Sequence, residues 1–226
     1  MMEWLQAFSA AYLALGFACA IALALDEWGN PQRMRIMNLV WPLASLFGTL
    51  GAVYLYYRFG RSGSGESPFW AMAAKGAGHC GAGCTLGDIV AEWSLFAFPG
   101  FAAVFGFGSI FGDKIFAAWA LDYVLAFLFG VLFQYFTIAP MRDLGFWRGV
   151  WAAVRADALS LTAWQIGMYG WMACAHFYLF EHLLGMRLST DTLEFWFMMQ
   201  LAMLCGFAVS YPVNWMLIQT GIKERM

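Results

Sequence analysis

Six apolar runs, each long enough to cross a lipid bilayer, leave this chain little choice of fold class. A spanning helix needs about 20 mostly apolar residues, and the runs at 4–25, 36–57, 86–107, 115–138, 158–183 and 195–218 all qualify. Inside hydrocarbon every backbone N–H and C=O must be satisfied by the protein itself, so runs of this kind become helices. The expected fold is an all-α integral membrane protein, a bundle of about six transmembrane helices forming one polytopic domain over 1–226. Pro42, Pro99 and Pro212 fall inside runs, and Gly100, Gly106 and Gly108 weaken the third, so some helices should be kinked or broken. Charged residues are 12% of the chain, about half the share usual in soluble domains, which leaves no room for a separate soluble domain. The net charge of −2 gives no reason to expect nucleic acid as a partner. The first run lacks the basic flank of a signal peptide and reads as a retained helix.

Lys and Arg in the connections set the expected orientation. If all six runs cross, one side collects Arg58, Arg61, Lys75, Arg142, Arg148, Arg155, Lys223 and Arg225, and the other only Arg33, Arg35, Lys114 and Arg187. That bias predicts a multi-pass protein of the bacterial inner membrane with both termini in the cytoplasm. Residues 60–67 (GRSGSGES) read as a flexible linker on the same side.

The densest chemistry lies at 79–88, HCGAGCTLGD. Of the five cysteines only Cys80 and Cys84 form a pair; Cys19, Cys174 and Cys205 sit alone in apolar runs. Thr85 followed three residues later by Asp88 matches a capping box, which places Thr85 at the start of the third helix. His79, Cys80 and Cys84 would then lie in a glycine-rich loop at its mouth, where the helix dipole favours thiolate. Thiolate and imidazole in that arrangement suit a soft metal ion, with Asp88 behind them. The competing reading is a glycine-rich turn with incidental cysteines. Glu92, one turn beyond Asp88, makes those two carboxylates candidates for a proton relay, unless each is simply paired with a neighbour.

A second candidate set lies in the last two runs. Met168, Met172 and His176 stand at i, i+4 and i+8, and Met199 and Met203 repeat the spacing. Thioether with imidazole suits Cu(I), although methionine stripes in membrane helices also serve as packing. His182 beside Glu181 reads as an interfacial pair. Asp122, Gln134, Gln165, Gln200 and Asn214 read as interhelical hydrogen-bonding groups.

The strings at 79–88, 135–142 (YFTIAPMR), 157–172 (DALSLTAWQIGMYGWM), 195–200 (FWFMMQ) and 211–218 (YPVNWMLI) resemble the bacterial domain-of-unknown-function family 4396, from about residue 36 onward. The resemblance implies a compact polytopic membrane protein of no settled activity; some members are labelled copper proteins.

Three functions follow from these residues. The first is binding or translocation of a soft metal ion, Cu(I) before others, with copper as the implied metal. There is no P-loop, so any transport would run down a gradient or on protons. The second is a thiol oxidoreductase cycling Cys80 and Cys84 against a quinone, with a haem protein as a weaker variant. The third is a non-catalytic subunit of a membrane complex, or a homo-oligomer, in contact with lipid through its many aromatic side chains. The residues favour a non-enzyme without deciding it.

Overall fold

The computed structural model describes residues 3–32 and 34–224, and the described chain is helical almost throughout. Six long helices follow one another: α1 (Glu3–Gly29), α2 (Met37–Leu55, prolonged by a π-helical turn Tyr56–Gly60), α3 (Phe69–Ala97), α4 (Lys114–Arg142), α5 (Phe146–Ala173, prolonged by a π-helical stretch Cys174–Leu183) and α6 (Leu193–Gln219). No strand ladder forms among the described residues, which bears out the all-α expectation. α1, α2 with its extension, α4 and α6 are long and apolar enough to cross a membrane. A fifth such segment is counted if α3 is joined to the 3-10 turn Pro99–Phe105, from which it is bent by 118°. α5 is less apolar, and it buries its polar groups, among them Asp157, Ser160 and Gln165, inside the bundle.

α3 is the central helix and packs against α2, α4, α5 and α6. Its run of glycine and alanine makes this possible. A Cβ on Gly83 would stand 3.0 Å from the backbone of Gly130, and one on Gly87 would stand 2.6 Å from the backbone nitrogen of Ala126. Without side chains at these points α3 and α4 approach backbone to backbone, as small residues permit in membrane helices. The pairs 79 with 137, 83 with 130, 87 with 126 and 95 with 114 show that the two run antiparallel. α5 and α6 close the bundle, with Trp164 of α5 fully buried and seated between Gly81 of α3 and Gly206 of α6.

The second run is not one straight helix. α2 is broken at Thr49, whose φ of 42° and ψ of −126° lie far from helical values, between Gly48 and Gly51. Trp41 and Tyr56 stack edge to face with ring centroids 5.5 Å apart, whereas a straight helix would separate them by about 22 Å. α2 is therefore a re-entrant hairpin. Its first arm leaves the end of α1, its tip at Leu46 and Phe47 reaches Gly16, Gln200 and Trp164, and its second arm returns to Asp26. There Tyr56 Oη donates to Asp26 at 2.7 Å, and Arg61 grips the same carboxylate through two nitrogens at 2.9 Å. Pro42 lies within the first arm and is not the break.

The hairpin changes the topology. α1 runs parallel to α6: Phe8 and Tyr12 both pack on Phe197, and Gly16 faces Gln200. The start of α1 and the end of α6 thus lie at opposite ends of the bundle. The connection at 30–36 joins the other basic connections. Arg35, Arg58, Arg61, Lys75, Arg142, Arg148, Arg155 and Lys223 gather at one end of the bundle, against Lys114 and Arg187 at the other. Arg33 and Arg225, which entered the charge count above, lie outside the described residues.

Candidate functional site

The segment 79–88 is not a loop. It lies in the middle of α3, a continuous helix that starts at Phe69 after Pro68. Pro68 rather than Thr85 occupies the N-cap position, and Thr85 turns back to donate to the Gly81 carbonyl at 2.8 Å, the usual recourse of a mid-helix threonine. The capping-box reading fails because the five glycines of α3, poor cues for helix in water, are with its alanines the residues that let the backbone of a central helix pack closely.

Helical geometry then separates His79 from the thiols. Cys80 and Cys84 are one turn apart on one face and fully buried. His79 points toward α4, where Nε2 lies 3.2 Å from Thr137 Oγ1 and the ring meets Phe133 edge to face. Among the described residues no three His, Cys, Asp or Glu side chains converge as metal ligands, so the His79–Cys80–Cys84 site expected at the mouth of a helix is not formed. Both thiols are enclosed by protein, and an external oxidant or quinone has no direct approach to either.

The structure makes a different grouping. Cys80, Cys84, Met168, Met172, Met199 and Met203 belong to one buried cluster contributed by α3, α5 and α6. The cysteines and methionines read above as two separate sets therefore share one buried cluster. His176 leaves the stripe of Met168 and Met172, since the π-helical stretch from Cys174 turns it outward, 3.8 Å from Asp113.

Carboxylates line the axis above this cluster. The buried carboxyls of Asp88 on α3 and Asp122 on α4 are neighbours, and among the described residues neither Asp88 oxygen has a hydrogen-bond partner. Tyr169 of α5 donates to Asp122 at 2.7 Å. Two carboxyls this close in a low-dielectric interior disfavour ionisation of both. Asp88 thus pairs with Asp122, whereas Glu92 accepts from Thr190 Oγ1 at 2.9 Å and belongs to a different cavity. That cavity, about 160 Å³, opens at the less basic end and is walled by Glu92, Asp113, Lys114, His176 and Thr190.

Next to the carboxyl pair, the hairpin tip closes a smaller cavity of about 70 Å³. Its walls hold Asp88, Thr85, Met199, Gln200 and Met203 with Leu46 and Phe47 of the tip. Gln200 Nε2 donates to the Leu46 carbonyl at 2.5 Å, and its Oε1 has no partner among the described residues. At the basic end lies a third polar group: buried Lys223 donates to Asn214 Oδ1 at 2.8 Å and to the Gly76 carbonyl at 3.2 Å, and stands 3.5 Å from Asp157. Sequence reasoning treated Asp122, Gln200 and Asn214 as isolated polar groups. It did not single out Tyr169 or Asp157 for a role, and their positions depend on helix register that no local pattern carries.

Apolar helices packed about a buried axis of thiols, thioethers and paired carboxyls, with a re-entrant hairpin reaching that axis, define a polytopic helical membrane protein with a polar interior. The model of the family described as a domain of unknown function (DUF4396) matches residues 69–223, and the chain belongs to that family. The match starts at the first residue of α3 and ends at the buried lysine, so it covers α3–α6 and leaves α1 and the hairpin outside. No curated protein and no solved structure matches.

Proposed function

We propose that this protein takes a soft metal ion, Cu(I), into the interior of its bundle and moves it across a bacterial inner membrane in exchange for a proton of the Asp88–Asp122 pair. The observation that carries this reading is the cavity beneath the hairpin tip, in which Asp88 shares walls with Met199 and Met203. Thioethers and thiols select Cu(I) over harder cations, and Cys84 lies one turn from Asp88 in the same buried region. Non-helical backbone at membrane depth is tolerated where it is buried in protein or lines a cavity, and the tip at Leu46 and Phe47 meets that condition. One Cu⁺ arriving as one proton leaves keeps the charge of the site constant, which a low-dielectric interior requires.

On this reading the vestibule of Glu92, Asp113 and His176 is one mouth of the path. The crowded basic end faces the cytoplasm by the positive-inside rule, which puts the C-terminal end of α6 in the cytoplasm and the start of α1 outside. Metal counting on purified protein loaded with Cu(I) under reducing conditions tests the proposal. Wild type should hold near-stoichiometric copper, M199L/M203L and C80S/C84S should each lose most of it, and C19S/C174S/C205S should keep it. Equal copper in wild type and in the variant combining all four site substitutions would end the metal reading. In proteoliposomes, Asp88→Asn should abolish the proton movement that accompanies copper.

A further inference from the structure

We propose that the basic end of the bundle holds a binding site for the phosphate-bearing headgroup of an anionic phospholipid, between the end of α4, the first turns of α5 and the turn after α6. The site is a cleft of about 410 Å³ whose walls include Ile138, Arg142, Arg148, Trp151, Arg155 and Ile222. Arg148, Trp151 and Arg155 are spaced i, i+3 and i+7, so one face of α5 presents two guanidinium groups with an indole between them.

The charges around the cleft leave those two arginines available. Arg142 is paired with Glu224. Asp157, the acid nearest in sequence to Arg155, is fully buried and faces Lys223. Asp143 caps the end of α4 in a left-handed conformation and is exposed. Among the described residues neither Arg148 nor Arg155 makes an ion pair. A guanidinium offers a planar fork of donors that matches two oxygens of a phosphate. Two forks on one cleft suit a phosphodiester.

The walls favour a lipid over a free phosphate. Apolar Ile138, Leu144, Trp151 and Ile222 stand beside the arginines, where inorganic phosphate would gain nothing from them and glycerol and acyl carbons would. Phe146, Trp147 and Trp151 are largely exposed, Trp147 at 79%. Tryptophans at that density mark the headgroup level of a bilayer, and basic pockets between helices at this level receive anionic headgroups.

Native mass spectrometry of the full chain in detergent tests the site, with short-chain phosphatidylglycerol, short-chain phosphatidylcholine and inorganic phosphate as probes. Phosphatidylglycerol should remain bound to wild type and phosphatidylcholine should not. Retention should fall at least about tenfold in R148Q/R155Q and less in R148K/R155K, because lysine keeps the charge and loses the fork. Equal retention of the two lipids by wild type, or undiminished phosphatidylglycerol on a folded R148Q/R155Q, would overturn the proposal. Displacement of the lipid by millimolar inorganic phosphate would overturn its assignment to a headgroup. Should R148Q/R155Q fail to fold, the two wild-type comparisons decide alone.

Discussion

Asp88 of α3 and Asp122 of α4 are neighbouring buried carboxyls, and the hydroxyl of Tyr169 is fixed on Asp122 at 2.7 Å. Nothing in the surroundings supplies a positive charge to the pair: Lys114 lies two turns above Asp122 on α4, and Lys223 is held by Asn214 and Asp157 at the basic end. Asp122→Asn should leave the fold nearly as stable as wild type, since the amide can donate to Asp88. Asp122→Ala removes the neighbour of buried Asp88 and should cost about 1–3 kcal/mol, while the Tyr169 hydroxyl keeps the Trp119 carbonyl at 3.0 Å. Thermal unfolding in detergent, with Asp122→Asn as the reference, reads the difference.

The hairpin predicts a distinctive labelling pattern. Single cysteines placed at residues 30 and 64 of a cysteine-free background should react with an impermeant thiol reagent from the same side of the membrane. A straight second helix would put them on opposite sides. Reporter fusions at the two chain ends should likewise report different compartments.

Gly87 should tolerate nothing larger. A Cβ there meets the Ala126 backbone at 2.6 Å, and backbone cannot swing aside as a flexible side chain can. Gly87→Val should destabilise by about 1–3 kcal/mol through overpacking, or more if α3 and α4 must part. Gly78→Ala is the control, because a Cβ at Gly78 meets nothing within 4 Å. Both are read by unfolding temperature and by the yield of folded protein.

Lys223 and Asp157 should behave as a coupled pair. Lys223 is 1% exposed and stands 3.5 Å from a buried carboxylate. Lys223→Met leaves Asp157 charged and alone, at an expected cost of about 3–5 kcal/mol, whereas Lys223→Met with Asp157→Leu should recover much of that loss. A double-mutant cycle measures the coupling, and additive losses would show that the two do not act together.

The sequence carried the helical class because apolar run length is a local property, and four of the six runs lie within one helix each, counting α5 with its π-helical extension, while the third straddles the end of α3 and the bent turn after it. The second run misled for a physical reason: a hairpin of two half-length arms and one straight span have the same composition, and what separates them is a single residue, Thr49, at φ 42°. The 79–88 segment drew attention rightly, yet its glycines suggested a loop where they mark the contact of α3 with α4. Cys80, Cys84 and the four methionines were legible as soft ligands. That they share one interior was not legible, since it depends on the register of three helices. Asp122 was read as an isolated hydrogen-bonding group because its partner lies 34 positions away, on a neighbouring helix.

The hydrogen bond from Gln200 to the Leu46 carbonyl joins groups 154 positions apart, and this bears on the order of assembly. When the hairpin first meets the bilayer, the carbonyl at its turn has no partner in α1 or α3, and an unsatisfied group in hydrocarbon costs several kcal/mol. The amide that satisfies it sits on α6, which is synthesised well after the hairpin. The tip therefore gains its hydrogen bond only once α6 is in place, and the cavity beneath it closes at that step.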